Sequence, residues 1–399
     1  MTRRGRSVLA LGVVVYLAAW AFGSKPLYPV AAGLLLAVAF AWGWVHLANG
    51  PFRTHRNLGE REHLEGDDVQ VACAVEPAGL LPPPAAALVE RVGRLGEQRH
   101  PLRRRGRRLA ITYVLEGVRR GRYVFEDSRV ELTDPFGLQR VSAPLPAPGA
   151  LLVYPRLVHL ERLFSESGVH ALEGRRLLLR RQTGFDLHSV REYERGESLR
   201  HVHWRSTARR GQLMVKELED APRDEIAVLL DADAATVAGD SFDVQVRAAG
   251  SILEAYLRHG RRAILVVNSE RRESQQVHSP AVDSRRALEL LAAAEPTGRV
   301  PVHTLMSEEA SPAARSLELV VVTARVERAL VDRLVQRALS RRKAALVFVD
   351  APTFAGAAPQ REPALLRLQA AGVAVAVIRA GDDLAAALEG ASAVEAVHG

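Results

Sequence analysis

The stretch IAVLLDADAA, residues 226–235, decides how the second half of this chain folds. Five apolar residues in a row lead to two aspartates, with no alternation of apolar and polar positions. An unbroken apolar run of this length suits a strand covered on both faces, as in a parallel sheet. The pattern returns in AILVVN (263–268), LVVVTA (319–324), ALVFVD (345–350) and VAVAVI (373–378). Between the first two runs, Phe242, Val246, Ala249, Leu253 and Tyr256 step by four and three, the apolar face of a helix. Strand–helix alternation predicts right-handed crossovers and a doubly wound α/β domain over residues 221–399. Ligands of open α/β sheets bind beyond the carboxyl ends of the strands. Asp231 and Asp233 are therefore metal candidates, since two carboxylates there can hold Mg²⁺ with several waters. The competing reading has Asp231 capping the strand end or the next helix.

Nearer the N-terminus the rhythm is different. VQVACAV (69–75) and LAITYVL (109–115) place their larger apolar residues at every second position, the period of a strand with one buried face. RGRYVFEDSRVELTDPFGL (120–138) reads as a strand, a turn, a second strand and a Pro/Gly corner. Short strands punctuated by turns predict a small antiparallel β-sandwich over residues 57–160. The basic run PLRRRGRR (101–108) joins two of its strands, either simply solvated or touching lipid head groups.

Before the sandwich stand SVLALGVVVYLAAWAFG (7–23) and VAAGLLLAVAFAWGWVHLA (30–48), neither with an Asp, Glu, Lys or Arg. Helices of roughly 17–25 such residues cross the hydrocarbon core of a bilayer. Trp20, Trp42 and Trp44 lie near the ends of the runs, where aromatic belts form. Arg3, Arg4 and Arg6 precede the pair, Arg53, Arg56 and Arg61 follow it, and only Lys25 lies between. The positive-inside rule then puts both ends in the cytoplasm. Residues 1–56 are thus expected to form a two-span transmembrane hairpin with basic flanks. The first run also fits a cleaved signal peptide, in which case the second still anchors the chain in the same orientation.

The net charge of +8 invites polyanion partners. Only Lys25, Lys216 and Lys343 are lysines, an arginine skew that looks like GC-rich codon usage. The single cysteine, Cys73, excludes an internal disulfide and a cysteine-cluster metal site. Its place in a strand suits core packing. Phosphate-binding GxxxxGK[ST], strand-following GxGxxG, HExxH and GxSxG motifs are absent, which removes most common nucleotide-hydrolase and metallopeptidase readings.

Residues 161–220 form an arginine-rich segment ending in REYERGESLRHVHWRSTARRGQLMVKELE (191–219). His201 and His203 point the same way if the backbone is extended and could reach one ion, with His188 available as a third ligand. Ser198 and Ser206 lie near these histidines along the chain, but a triad is recognised by spatial geometry rather than by proximity in sequence. Opposite charges alternate closely, and Glu194, Glu197, Arg195 and Arg200 can pair across a turn centred on Gly196. Trp204 is the one tryptophan outside the hairpin, and burial of its ring would anchor the segment. Arginines and glutamates held beside it would make a clasp between domains and a partner-docking surface.

The block from Gly184 through Arg209 with the following LMVKELE, the Asp-Pro-Phe-Gly corner and the apolar hairpin together resemble a bacterial family, the domain of unknown function 58 proteins. Glu197 stands where many members have Asp. Carried over, the family motif marks Arg191, Tyr193, Gly196, Glu197, Arg200, His203, Trp204, Arg205, Arg209 and Lys216. The resemblance implies a von Willebrand factor type A-like α/β domain, a fold whose metal site often reads Asp-x-Ser-x-Ser, completed by a Thr and a Thr-Asp-Gly loop. Here both serines are lost, Asp233 and Ala235 standing in their places, and Thr323 is followed by Ala324. The degenerate set Asp231, Asp233 and Thr323 is expected to hold no metal, and no cofactor is expected. Association of relatives with MoxR-type AAA+ ATPases implies a membrane-anchored scaffold or adaptor in the bacterial inner membrane. Its soluble domains would lie in the cytoplasm, with no enzymatic activity and no small-molecule substrate. Two alternatives stand beside it. One is polyanion binding (nucleic acid or anionic lipid) through residues 175–210, with Tyr193 and Trp204 stacking but Glu192, Glu194 and Glu197 diluting the charge. The other is an uncharacterised hydrolase using the motif's histidines and carboxylates.

Overall fold

The computed structural model describes residues 1–59, 62–77, 85–106, 108–146, 149–163, 187–192, 204–218, 225–277, 280–308 and 311–390. The chain divides into two compact units, Met1–Tyr154 and Pro155–Gly399.

The first unit opens with helices α1 (Arg3–Phe22) and α2 (Leu27–Ala48). Thr2 caps α1 by accepting a hydrogen bond from the Gly5 amide at 3.0 Å, and Gly23, at φ 64°, ends it in the left-handed region open to glycine. Both helices are long and apolar enough to cross a membrane. They pack closely, since a Cβ on Gly12 would meet Leu35 at 3.1 Å.

Nine strands follow: β1 (Phe52–Asn57), β2 (His63–Leu64), β3 (Val69–Pro77), β4 (Ala85–Val92), β5 (Glu97–Arg105), β6 (Arg108–Leu115), β7 (Gly121–Thr133), β8 (Arg140–Pro144) and β9 (Ala150–Tyr154). They pair in the order β1-β3-β6-β5-β4-β7-β9-β2, with β8 also on β7. Every pair is antiparallel except β2 with β9. Residues 97–102 of β5 pair with β4, and residues 103–105 with β6. A strand that changes partners in this way turns the corner between two packed layers. Alternate residues from both layers, Val69, Val71 and Val75 with Leu88, Leu109, Val130 and Leu132, share one core.

The expected turn inside residues 120–138 is absent: β7 runs unbroken from Gly121 to Thr133, and the Pro/Gly corner follows it. The Glu-Asp-Ser interruption of its alternation is a β-bulge. Asp127 sits at φ 48° and the register with β4 shifts between Val89 and Arg91. A bulge breaks the period of two just as a turn does. Opposite it, Glu90 is fully buried, and its carboxylate accepts from the Arg56 guanidinium, the Tyr113 hydroxyl and Ser128 Oγ.

In the second unit β10 (Leu187–Glu192) and β11 (Met214–Leu218) form an antiparallel pair, with the short helix α3 (Trp204–Arg210) before β11. The main sheet holds β12 (Glu225–Asp231), β13 (Arg262–Asn268), β14 (Glu273–Val277), β15 (Glu318–Thr323), β16 (Lys343–Val349) and β17 (Ala374–Ile378). Its order is β14-β13-β12-β15-β16-β17, parallel except for β14. Ile226, Val228 and Leu230 face helices Ser241–Arg258, Pro280–Ala293 and Leu384–Leu388. Ala227 and Leu229 face Arg328–Leu339, Ala364–Ala370 and two single-turn helices. Both faces are covered, as the unbroken apolar runs require. β14 escapes the pattern because ESQQV is a polar edge strand with one partner. Leu160 and Leu163 bury themselves in this unit's core.

Candidate functional site

Winding reverses between β12 and β15, and the carboxyl ends of the strands there bring together residues from three segments. Asp231 closes β12 and is 5% exposed. Thr323 Oγ1, at the end of β15, donates to Asp231 Oδ2 at 2.7 Å. Asn268 Nδ2, the register partner on β13, donates to Oδ1 at 3.2 Å. Burial raises the Asp231 carboxyl pKa above its ordinary value. The Thr323 and Asn268 hydrogen bonds restrain that rise, while the Asp233 charge adds to it.

Asp233 turns elsewhere. Its Oδ1 accepts from the Ala235 amide at 2.9 Å, and its Oδ2 lies 3.5 Å from Arg325 Nη1. Arg325 Nε lies 3.2 Å from Glu327, so the guanidinium is held between two carboxylates. Gly298 pins this loop, donating to the Ala232 carbonyl at 2.7 Å and accepting from the Ala234 amide at 3.2 Å. The structure thus gathers Asp231, Asp233 and Thr323 at one sheet end, but matches their oxygens to protein donors and a guanidinium. A hard divalent ion needs several oxygens aimed at one point; here each Asp231 oxygen accepts a hydrogen bond and Asp233 faces Arg325. Among the described residues no three His, Cys, Asp or Glu side chains converge.

Beside this end of the sheet lies a cleft of about 560 Å³, lined by Thr236, Val237, Arg325, Gln360 and Glu362 among others. Burial, then the nearby Asp350 charge, raises the Glu362 carboxyl pKa. Asp350, just past β16, is fully buried and accepts from the Gln360 amide at 3.0 Å. Sequence reasoning missed Arg325, Asp350 and Glu362. Arg325, two residues past a strand end, could have been flagged by that position alone, and so could Asp350, one residue past β16. Glu362 sits in an irregular loop with no periodic signal.

The arginine-rich motif is described only in part. Arg191 lies in β10, Lys216 lies in β11 opposite Val190, and Trp204, Arg205 and Arg209 lie on α3. Tyr193, Gly196, Glu197, Arg200 and His203, with Ser198 and His201, lie outside the described residues. α3 ends at Gly211, at φ 71°, and Thr207 Oγ1 accepts from the Met214 amide at 3.0 Å. Trp204 does not bury its ring; it is 67% exposed. Met214, just beyond the turn and 1% exposed, is the apolar residue that anchors this stretch. Ring size alone pointed to Trp204, but the turn at Gly211 directs Met214 inward instead. Trp204→Ala is accordingly expected to shift the melting temperature by less than about 2 °C, as exposed substitutions do. A loss of many degrees in a thermal melt would restore the buried-anchor reading.

Comparison with known proteins finds similarity in part of the chain. Residues 189–322, from β10 almost to the end of β15, match the family described as Protein of unknown function DUF58. The Uncharacterized protein YeaD of Bacillus subtilis (strain 168) is 27% identical over 222 residues, 54% of this chain and 54% of YeaD. The match thus spans about half the length of that curated relative. Cwp6 from Clostridium difficile aligns at 7% identity and a TM-score of 0.16 over 74% of this chain and 49% of that one. A likeness that low carries no argument about fold or role.

Proposed function

We propose, from the match of residues 189–322 to the DUF58 family, that the chain is a membrane-anchored scaffold whose α/β unit binds a protein partner at the carboxyl end of its sheet. The observation that carries this reading is Arg325. Its guanidinium is half exposed on the lip of the cleft and is oriented by Asp233 and Glu327. A guanidinium fixed in this way keeps donors for a partner's carboxylates or carbonyls at little further ordering cost. A sheet parallel but for one edge strand and covered on both faces supports a von Willebrand factor type A-like reading of the unit. The matched carboxylates support partner binding without a divalent ion. Arg3, Arg4 and Arg6 before the apolar helices and Arg53 and Arg56 after them support a cytoplasmic place for the β-sheet part of the first unit and for the second unit. The family resemblance makes a MoxR-type AAA+ ATPase the first partner to test.

Full-length protein captured from crosslinked native membranes should bring an ATPase of that class with it. Arg325→Glu should lower that recovery roughly tenfold, the scale of an interfacial arginine hot spot. Equal recovery by both proteins would remove the cleft from the interface. Recovery of no stable partner would remove the scaffold reading.

A further inference from the structure

We propose that the corner at residues 134–139 is a membrane-contact site, with Phe136 entering the boundary between lipid head groups and acyl chains. The inference rests on the membrane-anchor reading and adds a lipid-facing surface on the β-sheet part of the first unit.

The corner is built rigidly. Asp134, itself buried, accepts from the Phe136 amide at 2.8 Å and the Gln139 amide at 2.5 Å. The Gly137 amide donates to the Asp134 carbonyl at 3.0 Å, and Gly137 takes φ 69°. The same corner is bonded to the start of α1. The Thr2 amide donates to the Leu138 carbonyl at 3.0 Å, and Thr2 Oγ1 donates to the Gly137 carbonyl at 2.7 Å. Gly5 lies so near that an added Cβ would sit 2.1 Å from the Leu138 oxygen. The Leu138 side chain is buried with Val38 and Ala41, against Val8 and Ala37. The corner therefore stands level with residues 2–8 of α1 and 38–41 of α2.

Length then decides where that level lies. At 1.5 Å per residue, residues 5–22 of α1 span about 26 Å and residues 27–41 of α2 about 21 Å. The hydrocarbon core is about 30 Å thick. Beyond Ala41, one face of α2 packs on protein, with Val45 and Ala48 buried in the β core, while Trp42 and Leu47 stay exposed. Neither helix has the length to cross the hydrocarbon while the corner stays in bulk water. The corner must sit at the head-group boundary or below it. At this level Phe136 is 65% exposed, and Phe40 and Trp42 on α2 are exposed too. Aromatic rings gather at that depth of a bilayer. Arg3 and Arg4, exposed in the first turn of α1, are placed for lipid phosphates.

The test is a depth measurement on the full chain in vesicles of phosphatidylethanolamine and phosphatidylglycerol. Cys73→Ala leaves no native thiol, so Phe136→Cys can carry a single nitroxide. If Cys73→Ala fails to fold, the native background serves, because Cys73 is 1% exposed. Leu36→Cys, in the middle of the hairpin, and Leu339→Cys, on the second unit, provide references. The label at 136 should be several-fold less accessible to an aqueous nickel complex than the label at 339, and shallower than the label at 36. Equal nickel access at 136 and 339, with 36 protected, overturns the inference and leaves the anchor standing. Nickel access at 36 overturns the anchor, and the inference with it.

Discussion

Glu90→Ala is expected to cost the first unit about 3–5 kcal/mol, the scale of breaking a buried ion pair by removing one partner. Glu90 is fully buried on β4, with Arg56 from β1, Tyr113 from β6 and Ser128 from the β7 bulge converging on its carboxylate. The Arg56 side chain is 5% exposed, and its guanidinium lies 4.0 Å from the centroid of the Phe125 ring. Without the carboxylate, a buried guanidinium loses its counter-charge and a buried phenol loses its acceptor, both costly in a low dielectric. Replacing the pair together, as Arg56→Met with Glu90→Leu, should recover most of the loss, because apolar substitutes carry no desolvation penalty. Cys73 provides a local reporter. It is the register partner of Arg56 on β3, and burial, the leading cause, pushes its pKa up to about 11. Its thiol should react only when this unit opens. In urea titrations the labelling midpoint should fall sharply for Glu90→Ala and return for the double variant. An unchanged midpoint for the single variant would mean that the cluster does not support the fold.

That cluster was invisible in the sequence, for a physical reason. Arg56, Glu90, Tyr113 and Ser128 come from four strands, and no local period links them. The bulge that admits Ser128 reads locally as a turn. The parallel strands were legible because burial on both faces forces a composition that needs no knowledge of neighbours. Polar β14 was not, because its edge position is a property of the assembled sheet. At the candidate site Asp231 and Thr323 were legible as strand ends. Their mutual hydrogen bond, and the capture of Asp233 by Arg325, depend on strand order. Trp204 shows the opposite error, an inference from side-chain size where the turn at Gly211 gave Met214 the buried place.

Gly298→Ala should disturb the sheet end strongly. The added Cβ would lie 2.3 Å from the Asn268 carbonyl oxygen and 2.8 Å from that of Ala232. Both atoms are backbone, one at the end of β13 and the other just past β12, so no side chain can swing aside. Either the Gly298 loop gives up its hydrogen bonds to Ala232 and Ala234 or β13 shifts. A β13 shift would carry Asn268 away from Asp231 and from the Val300 carbonyl, to which it donates at 2.8 Å. We expect a stability loss of about 3 kcal/mol, the upper range of overpacking costs, together with loss of partner capture. Arg325→Glu should lose capture without that melting shift, since its side chain is half exposed and closes no backbone contact. Gly260→Ala is a suitable control. It carries the strain of a positive φ, 70°, which Gly298 does not have, but meets no atom within 4 Å, so its cost should stay at about 1 kcal/mol. If Gly298→Ala melts with the wild type while Gly260→Ala does not, the hydrogen bonds of Gly298 to Ala232 and Ala234 are not what fixes Asp233, and the orientation of Arg325 must come from Glu327 alone.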